Sequence, residues 1–253
     1  MTCGSLFSGI GGLDLGFERA GFTVRWQVEI DPFCREVLAK HWPDVPRYGD
    51  IRELTGDELE PVDCIIGGFP CQDVSSAGAR VGIDGARSGL WSEFARLVGV
   101  LRPRFVIVEN VPGLLIRGMG RVLGDLAALG LDAEWQVLPA AAFGAPHERG
   151  RVLLAAYARG FLERASSIFD GTNGLPRDPV WRAAEGIQSG RGWQRWLVQA
   201  SAPVDGQDPH GWFRGVDDGF PNEMDRIRAL GNAVVPQVAE FVARRVLEAE
   251  AHQ

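Results

Sequence analysis

Residues 62–72 read VDCIIGGFPCQ. The first seven make a short apolar run closed by two glycines, the pattern of a parallel strand buried on both faces. Phe69-Pro70-Cys71-Gln72 then opens a Ser- and Gly-rich stretch that runs to residue 88. A thiol just after a proline, at the mouth of such a stretch, reads either as a small buried hydrophobe or as a nucleophile. A second apolar run, RFVIVENV, covers 104–111, and GLWSEFARLVGVLRP (89–103) between the two has helical spacing. This strand–helix–strand unit predicts an open α/β sheet, whose ligands bind outside the carboxyl ends of the strands. Cys71 and Glu109 then close neighbouring strands at one edge.

The same alternation extends outward from this unit. Cys3 to Phe7 is a short apolar run, followed by the turn Ser8-Gly9-Ile10-Gly11-Gly12 and the helically spaced LDLGFERAGF. FTVRWQVEI (22–30) alternates like a strand. Asp31-Pro32 predicts a helix start, with Asp31 as N-cap and Pro32 at the first helical position. A helix is expected over roughly 119–129, a strand over RVLLAAYA (151–158), and a C-terminal helix over PQVAEFVARRVLEAEA. Between 160 and 220 the chain carries Gly, Pro, Arg and Trp181, Trp193, Trp196 and Trp212 without sustained periodicity. The expected division is 1–158 plus 221–253 as one domain and 159–220 as a small irregular one.

The 253 residues are 45% hydrophobic and 23% charged, which is ordinary globular composition. No run of about 18 apolar residues occurs, so no membrane span is expected, and the N-terminus lacks a basic leader. Cys3, Cys34, Cys64 and Cys71 show neither zinc spacing nor a disulfide pattern, so reduced thiols, a cytoplasmic location and no metal are expected. The net charge of −7 disfavours a nucleic-acid partner, but residues 149–215 hold nine Arg against six Asp or Glu. Lys40 is the single lysine, a bias that a GC-rich genome also produces.

The glycine turn permits a sharp reversal and close approach of a ligand. A dinucleotide fingerprint would place Gly where Asp14 stands. Glu29 ends the second strand, where a carboxylate can accept from both hydroxyls of a ribose. Asp50 follows the next short strand and can receive an adenine amino group. Together they indicate an adenosine-bearing cofactor without a pyrophosphate, or else a tight turn and two solvated acids. Glu109, closing an apolar strand, is expected to be partly desolvated, with its pKa raised toward proton donation, or else to be a surface carboxylate at a strand end. Arg149 and Arg151, two residues apart, are expected on one face of a strand, able to hold a carboxylate, a phosphate or a base carbonyl.

In this order the motifs resemble the DNA cytosine-5 methyltransferases. SLFSGIGGLDLGF is similar to that family's S-adenosylmethionine loop, and VEID and YGDI to its ribose and adenine segments. GGFPCQ resembles the nucleophile motif, VIVENVPGLL the proton-donor motif, HERGRV the two-arginine motif, and RALGNAVVPQVAE (228–240) the last motif. The likeness covers about 1–158 and 221–250. It implies a Rossmann-like methyltransferase sheet with a small irregular target-recognition domain. It implies S-adenosyl-L-methionine as cofactor and S-adenosyl-L-homocysteine as product. Its cofactor residues would be Phe7, Ser8, Gly9, Ile10, Gly11, Gly12, Glu29, Ile30, Asp50, Ile51, Pro70, Leu90, Asn232, Ala233 and Val234. Its catalytic residues would be Cys71, Glu109, Arg149 and Arg151, acting on a cytosine flipped out of double-stranded DNA. Gln72, Ser75, Arg80 and Arg87 would contact DNA. A monomer is expected, in a bacterium or a phage-infected host, with a cognate restriction endonuclease as the candidate partner. The chain departs from the pattern at His147, where Gln is usual, at Ser5, where Asp is common, and in its short variable segment. The motif that usually precedes the last one is not evident. An RNA cytosine and a nicotinamide-dependent oxidation are the rival readings, the latter opposed by Asp14.

Overall fold

A computed structural model describes residues 1–70, 89–145, 149–161, 167–169 and 233–252. Seven strands form one sheet: β1 Thr2–Leu6, β2 Thr23–Val28, β3 Arg47–Tyr48, β4 Cys64–Gly67, β5 Phe105–Asn110, β6 Leu131–Pro139 and β7 Gly150–Ala158. Their order is β3-β2-β1-β4-β5-β7-β6. The helices are α1 Gly12–Ala20, α2 Pro32–His41, α3 Leu90–Leu101, α4 Leu114–Arg117, α5 Met119–Ala128 and α6 Pro236–Ala251.

Strands β1 to β5 are mutually parallel, and β4 and β5 are buried at every residue, as their unbroken apolar runs require. The chain steps from β1 outward to β2 and β3, then returns to place β4 on the other side of β1. That reversal opens a crevice between the ends of β1 and β4. Strand β7 breaks the parallel pattern: it runs antiparallel to both β5 and β6. Its first residues therefore lie beside the last residues of β5, with Val152 opposite Asn110 and Leu153 opposite Glu109.

Helix α2 starts as its sequence indicates. The Asp31 carboxylate accepts from Phe33 N (2.9 Å) and Cys34 N (3.3 Å), and Pro32 stands in the first turn, where no N–H is needed. Helix α1 ends at Gly21, whose φ of 107° a side chain would resist.

Two apolar layers cover the sheet. On one face Trp91, Phe94 and Leu97 of α3 and Val122 and Leu126 of α5 pack on Ile65, Val106 and Leu154. On the other, Leu13 and Phe17 of α1 and Val238, Val242 and Val246 of α6 pack on Cys64, Ile66, Ile107 and Leu153. Burying each of these valines contributes about 1.5 kcal/mol. This second layer also holds Phe161, Ile168 and Phe169, so the core takes in side chains beyond Ala158. Arg245 of α6 donates to the carbonyls of Ser167 and Ile168, and Glu134 of β6 accepts from Ile168 N at 2.7 Å, pinning this segment. The rest of the expected small domain lies outside the described residues. No helix among the described residues is long and apolar enough to cross a membrane.

The union of α1 with α6 depends on two glycines one helical turn apart. A Cβ on Gly12 would sit 2.4 Å from the Val234 carbonyl oxygen, and one on Gly16 would sit 2.4 Å from Ala239 Cβ and 2.5 Å from the Pro236 oxygen. No side chain fits there without displacing α6. Gly16→Val is expected to destabilise the fold by about 2 kcal/mol, read by denaturant unfolding, because an overpacked core costs roughly 1–3 kcal/mol. An unchanged midpoint would show that α6 shifts freely.

Candidate active site

The crevice between β1 and β4 opens into one continuous cavity of about 690 Å³. Its near wall is the glycine turn. Gly9 takes φ 56° and Gly11 φ 84°, and Phe7 takes φ 54°, a left-handed value that a side chain resists. The turn is held by Ser8 N donating to the Val28 carbonyl (3.1 Å) and Gly11 N to the Ser8 carbonyl (2.9 Å). A Cβ on Gly9 would meet nothing within 4 Å, so the backbone faces open space there. Gly11 is the one residue of this turn that does not line the cavity. Its Cβ position is directed at the Trp42 ring, 2.5 Å away, so its glycine serves packing behind the turn.

Glu29 bridges the turn and the second strand. Its carboxylate accepts from Gly9 N (2.7 Å) and Asp31 N (2.8 Å), and burial nonetheless pushes its pKa up. Ile30, next in the chain, is an aliphatic residue 59% exposed on the cavity wall, which the buried Ile51 also lines. Asp50 caps the short 3-10 turn Ile51–Glu53 and is not a free acceptor. Arg52 donates to it through its backbone N (3.0 Å) and its guanidinium (2.9 and 3.0 Å), which holds the Asp50 carboxyl below its ordinary range. An adenine amino group reaching Asp50 must therefore share it with Arg52, a residue that sequence reasoning passed over. The adjacent carboxylate was its legible signal. Leu90, Ala233 and Val234 also line the cavity.

The far end holds Glu109, Asn110 and Arg151. Glu109 is 8% exposed, and burial raises its carboxyl to about 7 against the opposing positive charges of Arg151 and Arg149. Arg151 Nε lies 2.9 Å from Glu109 Oε1. The strand register explains the meeting: Glu109 pairs with Leu153, so Arg151, two residues earlier, shares its face. The expectation that Arg149 lies within the same strand is corrected. Arg149 precedes β7 with φ 24°, a conformation that costs about 1–2 kcal/mol for a residue with a side chain, and it does not line the cavity. Its charge still acts on Glu109, and burial together with Arg151 lowers its own pKa.

Ser5 and Asp14 stand behind the turn. Buried Asp14 accepts from the Ser5 hydroxyl (3.0 Å) and Gln27 Nε2 (2.8 Å), and burial raises it to about 6. The position where a dinucleotide fingerprint places glycine is thus a polar tie between β1, α1 and β2. Pro70 lies on the cavity wall, and the described chain stops there, one residue short of Cys71. Cys71, Gln72, Ser75, Arg80, Arg87, His147 and Asn232 lie outside the described residues.

The wall fits an adenosine joined to a cation. Glu29 offers carboxylate oxygens to a diol, Ile30 and Ile51 offer apolar faces to a purine, and Asp31, Glu93 and Glu109 add further acids. With Asp50 there are five carboxyl groups against Arg52 and Arg151, an acidic excess even with Glu109 protonated, which suits a sulfonium and opposes a pyrophosphate.

Residues 1–176 match the family model for C-5 cytosine-specific DNA methylase. The chain belongs to the C-5 cytosine-specific DNA methylase family. It is 40% identical over 160 residues to the Type II methyltransferase M2.BsuMI of Bacillus subtilis, covering 60% of this chain and 41% of that one. It is 36% identical over 195 residues to the Type II methyltransferase M.FnuDI of Fusobacterium nucleatum, covering 74% and 57%. The chain thus spans only about two fifths to three fifths of these relatives' length. Among solved structures, an E. coli "DNA modification methyltransferase encoded within prophage" superposes with TM-score 0.67 at 22% identity, over 99% of each chain. The S. pombe Dnmt2 methyltransferase gives 0.53 at 21%, over 62% and 51%. At these identities the likeness establishes the Rossmann-like fold alone.

Carbon-13 labelling of glutamate carboxyls is expected to show Glu109 titrating near pH 7. Arg151→Gln should move that midpoint upward, since the arginine charge favours the carboxylate. A midpoint that stays put or falls would show that Arg151 does not govern this acid.

Proposed function

We propose that this chain transfers a methyl group from S-adenosylmethionine to carbon 5 of a cytosine in duplex DNA. The observation that carries the reading is Glu109: a buried carboxyl near neutrality, paired to Arg151, at the end of a cavity whose other end suits adenosine. Membership of the family supports the substrate base, and the relatives' naming as Type II methyltransferases supports a restriction-modification setting.

The chemistry follows from the residue types. Carbon 5 of cytosine is a poor nucleophile. Addition of the Cys71 thiolate to carbon 6 forms a C–S bond and moves an electron pair toward ring nitrogen 3, where Glu109 delivers its proton. The resulting enamine makes carbon 5 nucleophilic. The bound cofactor would supply an electrophilic methyl group. Loss of the carbon 5 proton to a base and expulsion of the thiolate, with the proton on ring nitrogen 3 returning to Glu109, restore the aromatic ring. Arg151 stabilises the charge of Glu109, and its guanidinium would meet the base carbonyl. The site lies at a sheet edge, out of reach of a stacked base, so the cytosine must rotate out of the duplex. Residues 72–88 and the Arg-rich stretch after 158 are assigned to the DNA.

Tritium from labelled S-adenosylmethionine is expected to enter duplex DNA and not RNA, with bisulfite sequencing of the product locating the site. Cys71→Ser should reduce transfer to background while leaving cofactor affinity within about twofold. Substantial residual turnover would remove Cys71 from its role. The protonated donor predominates below its pKa, so where the Cys71 thiolate is already formed kcat/KM should fall as pH rises through about 7.

A further inference from the structure

We propose that Gly68 and Asn110 are positioning residues that fasten the proton donor to the backbone leading into Cys71. This rests on the roles just given to Glu109 and Cys71. The two strands that carry those roles run side by side, with Gly67 of β4 paired to Val108 of β5. The next residues, Gly68 and Glu109, therefore face each other where the sheet ends.

Gly68 leaves a space that the acid occupies. A Cβ built on it would stand 2.7 Å from Glu109 Oε2, closer than atoms pack. The backbone of Gly68 has no left-handed φ, so glycine is not needed there for conformation. What it supplies is room. Arg151 holds the other oxygen, Oε1, at 2.9 Å. The carboxyl is thus bounded by an ion pair on one side and a bare α-carbon on the other.

Asn110 makes the second fastening. Its side chain is buried, and each end of the amide has a partner. Oδ1 accepts from Val111 N at 2.8 Å, and Nδ2 donates to the Phe69 carbonyl at 3.1 Å. The first bond orients the amide and so directs the second. Pro70 has no N–H, so the carbonyl is the only hydrogen-bonding group of the Phe69–Pro70 peptide, and Asn110 takes it. The Phe69 ring is itself buried against Trp91, with centroids 5.2 Å apart. The backbone is therefore gripped at the last residue before Pro70, by the residue that follows the proton donor.

The consequence is a fixed distance between the Glu109 carboxyl and the Phe69–Pro70 backbone. Neither residue donates a proton or forms a bond to the base. A displacement of about 1 Å between reacting groups costs roughly 100-fold in rate. The effect should fall on covalent addition and spare cofactor binding, because Gly68 stands beside Glu109 and Asn110 beside Phe69, not beside Glu29 and Asp50.

The test uses the full chain, S-adenosylmethionine and amplified duplex DNA in which 5-fluorocytosine replaces cytosine throughout, so that every possible site can trap the enzyme. Gly68→Ala and Asn110→Ala are expected to bind S-adenosylmethionine within about twofold of the parent and to form the covalent complex about 100-fold more slowly. Trapping within about threefold of the parent overturns the proposal. Loss of cofactor binding in parallel with trapping overturns it too, since that is what a general packing defect produces. If Asn110→Ala does not fold, Asn110→Asp, which keeps the shape and removes the donor, replaces it. A parent protein that fails to trap refutes the nucleophile assignment itself, and this inference with it. A parent that traps alongside equally competent variants refutes the inference alone.

Discussion

The Glu109–Arg151 pair exists because one strand runs backwards. In a wholly parallel sheet, every strand brings its carboxyl end to the ligand edge and sends its amino end away. Strand β7 is antiparallel to β5, so its amino end arrives at the carboxyl end of β5. The register then sets Arg151 on the same face as Glu109, with 2.9 Å between the charged groups. Burial alone would push a carboxyl to where it is neutral and inert as an anion. The arginine opposes that push, and the balance leaves Glu109 near 7, where it can both give and recover a proton.

The opposite end of the cavity depends on a contact between residues far apart in the chain. Ala233 and Val234 reach the cavity wall because α6 docks on α1, and α6 docks because Gly12 and Gly16 leave room for its backbone. Gly12 therefore belongs to two structures at once, the ligand turn and the helix interface. Gly11 shows the division of labour: its left-handed φ shapes the turn, while its bare α-carbon faces Trp42. Substitutions far from the ligand can in this way reach the site through packing.

Most of the elements were readable from local pattern, and the reasons are local. Asp31-Pro32 starts α2 through hydrogen bonds that span three residues. The strands β4 and β5 are legible because a strand buried on both faces must be apolar throughout. Strand β6 escaped because it is a half-exposed edge, with Trp135 and Val137 turned outward and its polar residues interspersed. Among the site residues, Glu29 was legible as an acid ending an alternating strand and Glu109 as an acid closing an apolar one. Arg52, Gly68 and Asn110 were not assigned roles, because each acts through a neighbour that the chain order does not reveal. The shared strand expected of Arg149 and Arg151 failed for a local reason: the positive φ of Arg149 keeps it out of the strand.

By itself the sequence determined the alternation of strands and helices, the glycine turn, the identity of the acids at strand ends and, through its motifs, the family. These are consequences of short-range sterics, capping and burial periodicity, all of which act within a few residues. The tertiary structure alone decided the direction of β7, the return of α6, and the approach of Gly68 and Asn110 to Glu109 and Phe69. Each depends on which strand lies beside which and in what register, and that is set by packing the whole apolar core rather than by any one segment of the chain.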